Sequence, residues 1–148
     1  MKIRKPHEEE LEEVYKLMFY IPEMEIVAFE KMKECIRENR FPEILVAIEN
    51  GEVIGTAIFT IMYDLSGDGE IFLYALSVKP EHRRKMVGTS LINAVREEAK
   101  MVNASIIMFI VHRENEGALF FYKTFGLIDE DLDNFMRVAI PVEEGKDE

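Results

Sequence analysis

The sequence has a single cysteine, fewer basic than acidic residues and no long apolar run, and each of these features disfavours a class of protein. Cys35 is the single cysteine among 148 residues, so no internal disulfide can form and a reducing, cytoplasmic setting is expected. No apolar run approaches the roughly 18–20 residues that span a bilayer. The first ten residues also lack the apolar core of a signal peptide. We therefore expect no membrane partner.

The net charge indicates which other classes of partner are expected. A net charge of −11 disfavours non-specific nucleic-acid binding and mildly favours cationic partners. The hydrophobic fraction of 48% and the charged fraction of 32% are typical of a soluble globular protein. We expect one domain over residues 1–142 and a disordered acidic tail at 143–148.

Apolar periodicity and turn residues predict a chain of strands and helices in the order β α α β β β α β α β. The predicted ranges are 2–5, 7–19, 24–38, 44–49, 52–62, 70–78, 87–102, 106–111, 116–125 and 135–140, with a further strand near 127–131. Pro22 is expected to end the first helix, and Asn50-Gly51 is the strongest two-residue hairpin signal. Asn115 is expected to cap the helix that follows it.

The arrangement of these elements predicts the fold class. The helical crossover between strands 70–78 and 106–111 requires those two strands to be parallel, whereas the earlier strands form an antiparallel meander. We expect one mixed α/β sheet, mostly antiparallel and of six or seven strands, with helices on both faces. The nearly unbroken apolar run at 70–78 predicts a strand that is buried on both faces.

A basic loop follows strand 70–78 and leads into a helix. Residues 79–85 carry four basic side chains and one acidic one, a local excess of +3 in an acidic chain. A strand, a basic loop with a glycine and a helix start together direct main-chain N–H groups and cations at one anion, most often a phosphate. The alternative is an ordinary solvated charged surface.

Two spaced motifs narrow the identity of that anion. In the first, Arg83 and Gly88 occupy the ends of a six-residue pattern, and Met86 stands at its inner glycine position. The second motif follows after about 30 residues and consists of Asn115, Ala118, Tyr122 and Phe125-Gly126-Leu127. Together with the element order, these motifs resemble the GNAT superfamily of acetyl-CoA-dependent N-acetyltransferases.

The resemblance implies a fold and a cofactor site. The two parallel strands would separate in a V-shaped splay that holds acetyl-CoA or another acyl-CoA. Its pantetheine arm would pair with the backbone of Leu76, Ser77 and Val78. The implied pyrophosphate contacts are Arg83, Arg84, Lys85, Met86, Val87, Gly88 and Thr89, and Asn115 and Tyr122 would contact the same ligand. We expect Met86 to point away from the phosphates at a normal φ, which would leave the loop intact.

The resemblance also implies catalytic roles. Tyr122 is the candidate acid, because a phenol is protonated at neutral pH and can donate to a departing thiolate; the alternative is a core aromatic residue. Glu70 is the candidate base, directly or through water, and burial beside Ile71 and Phe72 would favour its protonated form. The alternative for Glu70 is a solvated charge at a strand end. A backbone N–H near Leu76 would serve the oxyanion.

The leading hypothesis is an N-acetyltransferase that forms a ternary complex with acetyl-CoA and a primary amine, either a small cationic metabolite or a protein lysine or N-terminus. The alternative is a non-catalytic acyl-CoA sensor with the same fold, which Met86 suggests, or a protein that binds another diphosphate at the same loop. A homodimer is left open as a further partner. His7, His82 and His112 lie on separate segments without metal-ligand spacing, so no metal site is predicted.

Overall fold

The computed structural model describes residues 1–21, 24–112, 114–126, 128–132 and 135–143, with the main chain alone for 128–132 and 135–138. The strands are β1 Lys2–Arg4, β2 Glu43–Glu49, β3 Glu52–Tyr63, β4 Gly69–Val78, β5 Ile106–His112, β6 Ile128–Leu132 and β7 Phe135–Pro141. The helices are α1 Leu11–Met18, α2 Phe29–Arg37, α3 Val87–Met101 and α4 Glu116–Lys123, and short 3-10 turns span Glu8–Glu10 and Pro80–His82. No helix in these ranges has both the length and the apolar character needed to cross a membrane.

The strands form a seven-stranded sheet in the order β1-β2-β3-β4-β5-β7-β6. The β1–β2, β2–β3, β5–β7 and β6–β7 pairs are antiparallel, whereas β4 and β5 are parallel. This topology confirms the predicted mixed, mostly antiparallel sheet and the helical crossover. The additional strand that was predicted near 127–131 is β6.

The chain divides into two compact units. The first unit comprises residues 1–59 and 75–94, and the second comprises 60–74 and 95–148. In the first unit, a cluster of buried apolar side chains joins α1 and α2 to β2, β3 and the end of β4. Its members include Leu11, Val14, Leu17, Met18, Met32, Val46 and Ile58. The helical stripe of α1 therefore faces a core, as its period indicates.

The second helix, α2, is shorter than the helix that the sequence pattern predicts. The prediction of a helix over 24–38 is wrong for residues 24–28, because α2 begins at Phe29 and Ala28 is extended at ψ 146°. The carbonyl of Val27 accepts a hydrogen bond from the Tyr15 hydroxyl at 2.8 Å. This tertiary contact competes with the local helical preference of the segment. Pro22 lies outside the described residues.

Strand β4 is buried on one face rather than two. Its side chains alternate, with Ile71, Leu73 and Ala75 buried and Glu70 and Tyr74 exposed. The prediction of two buried faces is therefore wrong, because the apolar content of the run does not reveal which side chains the neighbouring elements cover.

The start of α3 lies very close to the backbone of strand β3 in the first unit. A Cβ atom on Gly55 would lie 3.1 Å from the Val87 Cγ1 and 3.2 Å from the carbonyl oxygen of Ser77. Glycine on β3 therefore permits the first turn of α3 to pack close to the strand. The loop that enters this helix is held at a defined place on the sheet.

Candidate active site

The segment between β4 and α3 is fixed at its entry by main-chain hydrogen bonds. The Lys79 N–H donates to the carbonyl of Ile54 at 2.9 Å, and the His82 N–H donates to the carbonyl of Lys79 at 2.9 Å. Pro80 sits in the first turn of the 3-10 segment, where the lack of an N–H has no cost. Residues 83–89, which we call the anion loop, therefore leave the sheet from a rigid support.

The anion loop ends in a helix start that can accept an anion. The Ser90 N–H donates to the carbonyl of Met86 at 3.0 Å. The N–H groups of Val87, Gly88 and Thr89 precede that bond and have no acceptor within the helix. They lie at the positive end of α3, an arrangement that suits a phosphate.

Two residues of the anion loop have a left-handed backbone. Arg84 has φ +64° and Met86 has φ +66°. The expectation of a normal φ at Met86 is therefore wrong, because the loop keeps the conformation that its inner glycine position implies. Met86 is 66% exposed, and that its side chain points away from the phosphates stays a prediction. A left-handed non-glycine residue costs about 1–2 kcal/mol.

The basic side chains of the anion loop divide into two groups. Arg83 is engaged, since its Nε donates to the carbonyl of Val78 at 3.1 Å and its guanidinium lies 5.6 Å from the ring centre of Tyr20. Arg84 and Lys85 are exposed, and among the described residues neither forms an ion pair. We infer that Arg83 braces the loop while the other two cations remain available to a ligand.

The end of β4 contains the predicted pantetheine contacts. The Ser77 side chain is buried, and its Oγ donates to the carbonyl of Leu17 in α1 at 2.7 Å. Leu76 and Val78 are half-buried on the opposite face of the strand. Ser77 therefore anchors the strand to α1 through its side chain, and only its main chain is left to contact a ligand.

In the second unit, α4 carries the candidate acid. Tyr122 is 8% exposed, and its ring centre lies 4.1 Å from that of Phe109 on β5. Asn115 caps the same helix, because its side chain accepts a hydrogen bond from the Ala118 N–H at 3.2 Å. The predicted cap is confirmed, and the packing of the aromatic rings holds Tyr122 in one place.

The candidate base lies at the start of β4 in the same unit. Glu70 is exposed, so the burial that was expected to favour its protonated form is absent. Tyr74 stands on the same face, is 49% exposed and contacts the ring of Phe72. No role was predicted for Tyr74, although the alternation of side chains along a strand places it on the same face as Glu70.

Pairing between β4 and β5 covers little of either strand. The registered pairs are Ile71 with Ile107 and Phe72 with Met108. Leu73 and Tyr74, which follow in the same unit, are absent from the ladder. This short ladder agrees with the separation of two parallel strands that the resemblance implies.

The predicted site residues fall into two sets. The first unit holds Leu76, Ser77, Val78 and the whole anion loop, and the second holds Glu70, Asn115 and Tyr122. The structure therefore places the residues that were predicted to bind the anion within one unit. In the other unit, it places the candidate acid on a helix and the candidate base on a strand.

The profile of the acetyltransferase (GNAT) family matches residues 8–127. The chain superposes on Ard1 from Thermoplasma volcanium with a TM-score of 0.77, at 22% identity and over 97% of this chain and 98% of that one. For Naa50 of Arabidopsis thaliana, bound to the bisubstrate analogue CoA-Ac-MVNAL, the TM-score is 0.72, at 18% identity and over 93% and 95% of the chains.

A third similar structure is a chimera of the spermidine N-acetyltransferase SpeG from Vibrio cholerae and hSSAT. Its TM-score is 0.73, at 18% identity, over 96% of this chain and 97% of that one. No curated protein matches the chain in sequence. At sequence identities of 18–22%, the similarity of these structures establishes a shared fold alone.

Proposed function

The chain belongs to the acetyltransferase (GNAT) family, and on that premise we propose that it transfers an acetyl group from acetyl-CoA to a primary amine. The transfer occurs by direct attack in a ternary complex, within one domain over residues 1–142 of a cytoplasmic protein. The acceptor is a cationic amine, because a net charge of −11 attracts cations over long range. Size-exclusion chromatography tests whether the enzyme is a homodimer.

The acceptor class is either a small polyamine-like metabolite or a protein lysine or N-terminus. Both kinds of ligand occur in the names of similar structures, as a peptide conjugate for Naa50 and as spermidine for the SpeG chimera. Competition between spermidine and a short peptide for the same protein would separate the two classes.

The observation that carries the proposal is the anion loop. It combines the helix N–H groups of Val87, Gly88 and Thr89 with the exposed cations of Arg84 and Lys85. A diphosphate carries enough charge and enough oxygens to use both sets of donors. We assign the pyrophosphate of CoA to this loop.

The remaining parts of CoA have candidate contacts elsewhere. The main chain at Leu76, Ser77 and Val78 would pair with the pantetheine amides, and Asn115 would contact the same arm. A main-chain N–H near Leu76 would donate to the oxyanion of the tetrahedral intermediate. Because Ser77 is anchored to α1 by its side chain, this strand end is rigid enough to hold the acyl group in position.

The chemistry requires a proton to leave the substrate ammonium, a proton to reach the departing thiolate, and a proton to leave the nitrogen that becomes the amide. Glu70 receives the proton of the substrate ammonium through a water molecule, since its exposed side chain is accessible to solvent. The free amine then attacks the thioester carbonyl carbon, a C–N bond forms and the C–S bond breaks. Tyr122 gives its phenolic proton to the departing thiolate of CoA, and the proton that the attacking nitrogen loses as it becomes the amide restores the Tyr122 phenol through solvent. The packing of Tyr122 against Phe109 supports this role, because it restricts the motion of the phenol ring.

Turnover is measured as free thiol released from acetyl-CoA in the presence of a panel of amines. We expect Tyr122→Phe to lower kcat by at least tenfold, because the acid is lost while the ring packing is kept. Tyr63→Phe removes a phenol from an exposed residue at the end of β3 and is the matched control, with an unchanged rate. An unchanged rate in Tyr122→Phe would remove Tyr122 from the mechanism.

The alternative function is an acyl-CoA sensor without catalysis, and the left-handed Met86 is the observation that favours it. A loop that keeps its shape at an energetic cost can still bind CoA after the chemistry has been lost. Thermal stabilisation by CoA without turnover on any amine would support the sensor. No stabilisation at millimolar CoA would count against both functions.

A further inference from the structure

A cluster of potential metal ligands lies in the first unit, beside the entry to the anion loop. One carboxylate oxygen each from Glu52 and Glu81 and one ring nitrogen of His82 all lie within 4.8 Å of one another. Glu52 follows the Asn50-Gly51 turn, whereas the other two residues belong to the 3-10 turn after β4. Folding therefore brings Glu52 next to two residues that lie 29 and 30 positions further along the chain.

The main chain holds the two parts of this cluster in register. The Lys79 N–H donates to the carbonyl of Ile54 at 2.9 Å, which joins the 3-10 turn to β3. The His82 N–H donates to the carbonyl of Lys79, which fixes the place of the histidine within the turn. The three ligands therefore project from a preformed support, and binding needs only side-chain adjustment.

His82 supplies an independent sign of a missing ligand. Its Nδ1 atom is buried and has no hydrogen-bond partner among the described residues, although the Glu49 Oε2 lies 3.8 Å away. A buried polar atom without a partner costs about 1–3 kcal/mol. The side chain as a whole is 19% exposed, and since Nδ1 is covered, that exposure belongs to the rest of the ring.

The charge around the cluster favours a divalent cation. Four carboxylates surround a single ammonium group, that of Lys79, whose Nζ lies 2.8 Å from the Glu52 Oε1 and 3.6 Å from the Glu13 Oε2. The other two carboxylates are those of Glu49 and Glu81. The carboxylates outnumber the cationic side chains of this group, and a bound dication would offset the excess of negative charge.

We propose that Glu52, Glu81 and His82 bind a zinc-like divalent transition-metal ion. One imidazole nitrogen and two carboxylate oxygens suit Zn²⁺, whereas Mg²⁺ and Ca²⁺ prefer oxygen ligands alone. The histidine ligand is the ring nitrogen that lies within 4.8 Å of the two carboxylate oxygens.

Binding would join the β2–β3 hairpin to the turn that leads into the anion loop. The ammonium of Lys79 occupies part of the same negative region, so it competes with the metal for Glu52. The metal site does not depend on acyl transfer, and its test uses no substrate.

The test is isothermal titration of the full-length protein with ZnCl₂, together with NMR of the histidine ring protons. We expect one ion per chain, and only the His82 ring signals should move. His82→Asn and Glu81→Gln should each weaken binding at least tenfold, and Lys79→Met should tighten it at least threefold. His7→Asn is the matched control, because His7 also lies near carboxylates but on another segment, and its affinity should be unchanged.

Circular dichroism of each variant separates loss of the site from loss of the fold. Zn²⁺ should also raise the Tm of the wild type and leave that of His82→Asn unchanged. Movement of the His7 or His112 signals in place of those of His82 would overturn the assignment. Undiminished Zn²⁺ affinity in folded His82→Asn would overturn it as well.

Discussion

Two turns in the first unit each contain a pair of left-handed residues but are built from different amino acids. In the β2–β3 hairpin, Asn50 has φ +51° and Gly51 has φ +76°. In the anion loop, the corresponding values are +64° for Arg84 and +66° for Met86. Asparagine and glycine adopt this region readily, whereas arginine and methionine do not.

The difference separates a turn whose residues favour their own conformation from one whose residues do not. At the hairpin, the residues prefer the conformation they have, so the turn favours the pairing of its strands. At the anion loop, the surrounding structure imposes the conformation against the preference of its residues. Such strain persists mainly where a particular backbone shape has a function, and the function that we propose for this loop is to direct N–H groups toward the pyrophosphate of CoA.

The largest expected effect comes from breaking the hairpin turn. Gly51→Val places a β-branched residue at φ +76°, and because nothing lies within 4 Å of a Cβ there, the effect is purely conformational. We expect the free energy of unfolding, measured by urea denaturation, to fall by about 2 kcal/mol. CoA affinity of the folded protein should not change. Gly117→Ala in α4, which also meets open space, is the control and should not destabilise the protein.

A smaller change in the free energy of unfolding, of opposite sign, is expected for a substitution in the anion loop. Met86→Gly removes the cost of the left-handed residue and should raise the free energy of unfolding by about 0.5–1 kcal/mol. It should also tighten CoA binding about threefold by calorimetry, since the bound loop shape becomes easier to hold. Met86→Ala retains the cost and should do neither. A weaker CoA affinity in Met86→Gly would mean that the methionine side chain itself contacts the ligand.

The smallest effect concerns the ion pair that joins the hairpin to the entry of the anion loop. The hydrogen bond from Lys79 lowers the pKa of Glu52 below its ordinary value of 4.5. A carboxyl with a lowered folded pKa contributes stability above pH 4.5, and that contribution is lost as the pH falls from there through the folded pKa. Glu52→Gln should therefore lower stability slightly at pH 7 and have less effect in acid, as followed by Tm against pH. An equal loss at all pH values would exclude the ionised pair as the cause.

Local signals predicted the parts of the fold that depend on a few neighbouring residues. Asn50-Gly51 specified its hairpin because both residues accept a positive φ. Asn115 specified a helix start because its side chain and the Ala118 N–H lie within one turn. The crossover to β5 followed from element order alone, since two parallel strands require a long connection.

Features that depend on distant contacts were not predicted. The start of α2 is set by the bond from Tyr15 to Val27, which periodicity within residues 24–38 does not reveal. The exposure of Glu70 and Tyr74 depends on what covers that face of β4. The left-handed φ of Met86 is imposed by its surroundings, and the cluster around His82 joins segments that the sequence keeps apart.

The division into two compact units also bears on how the protein can be rearranged. The chain passes from one unit to the other three times, within β3, within β4 and within α3. Neither unit is therefore encoded by one uninterrupted stretch of the gene. A fragment made by cutting at either loop of β4 would contain parts of both units, and recombination at a single crossover could not exchange one unit intact.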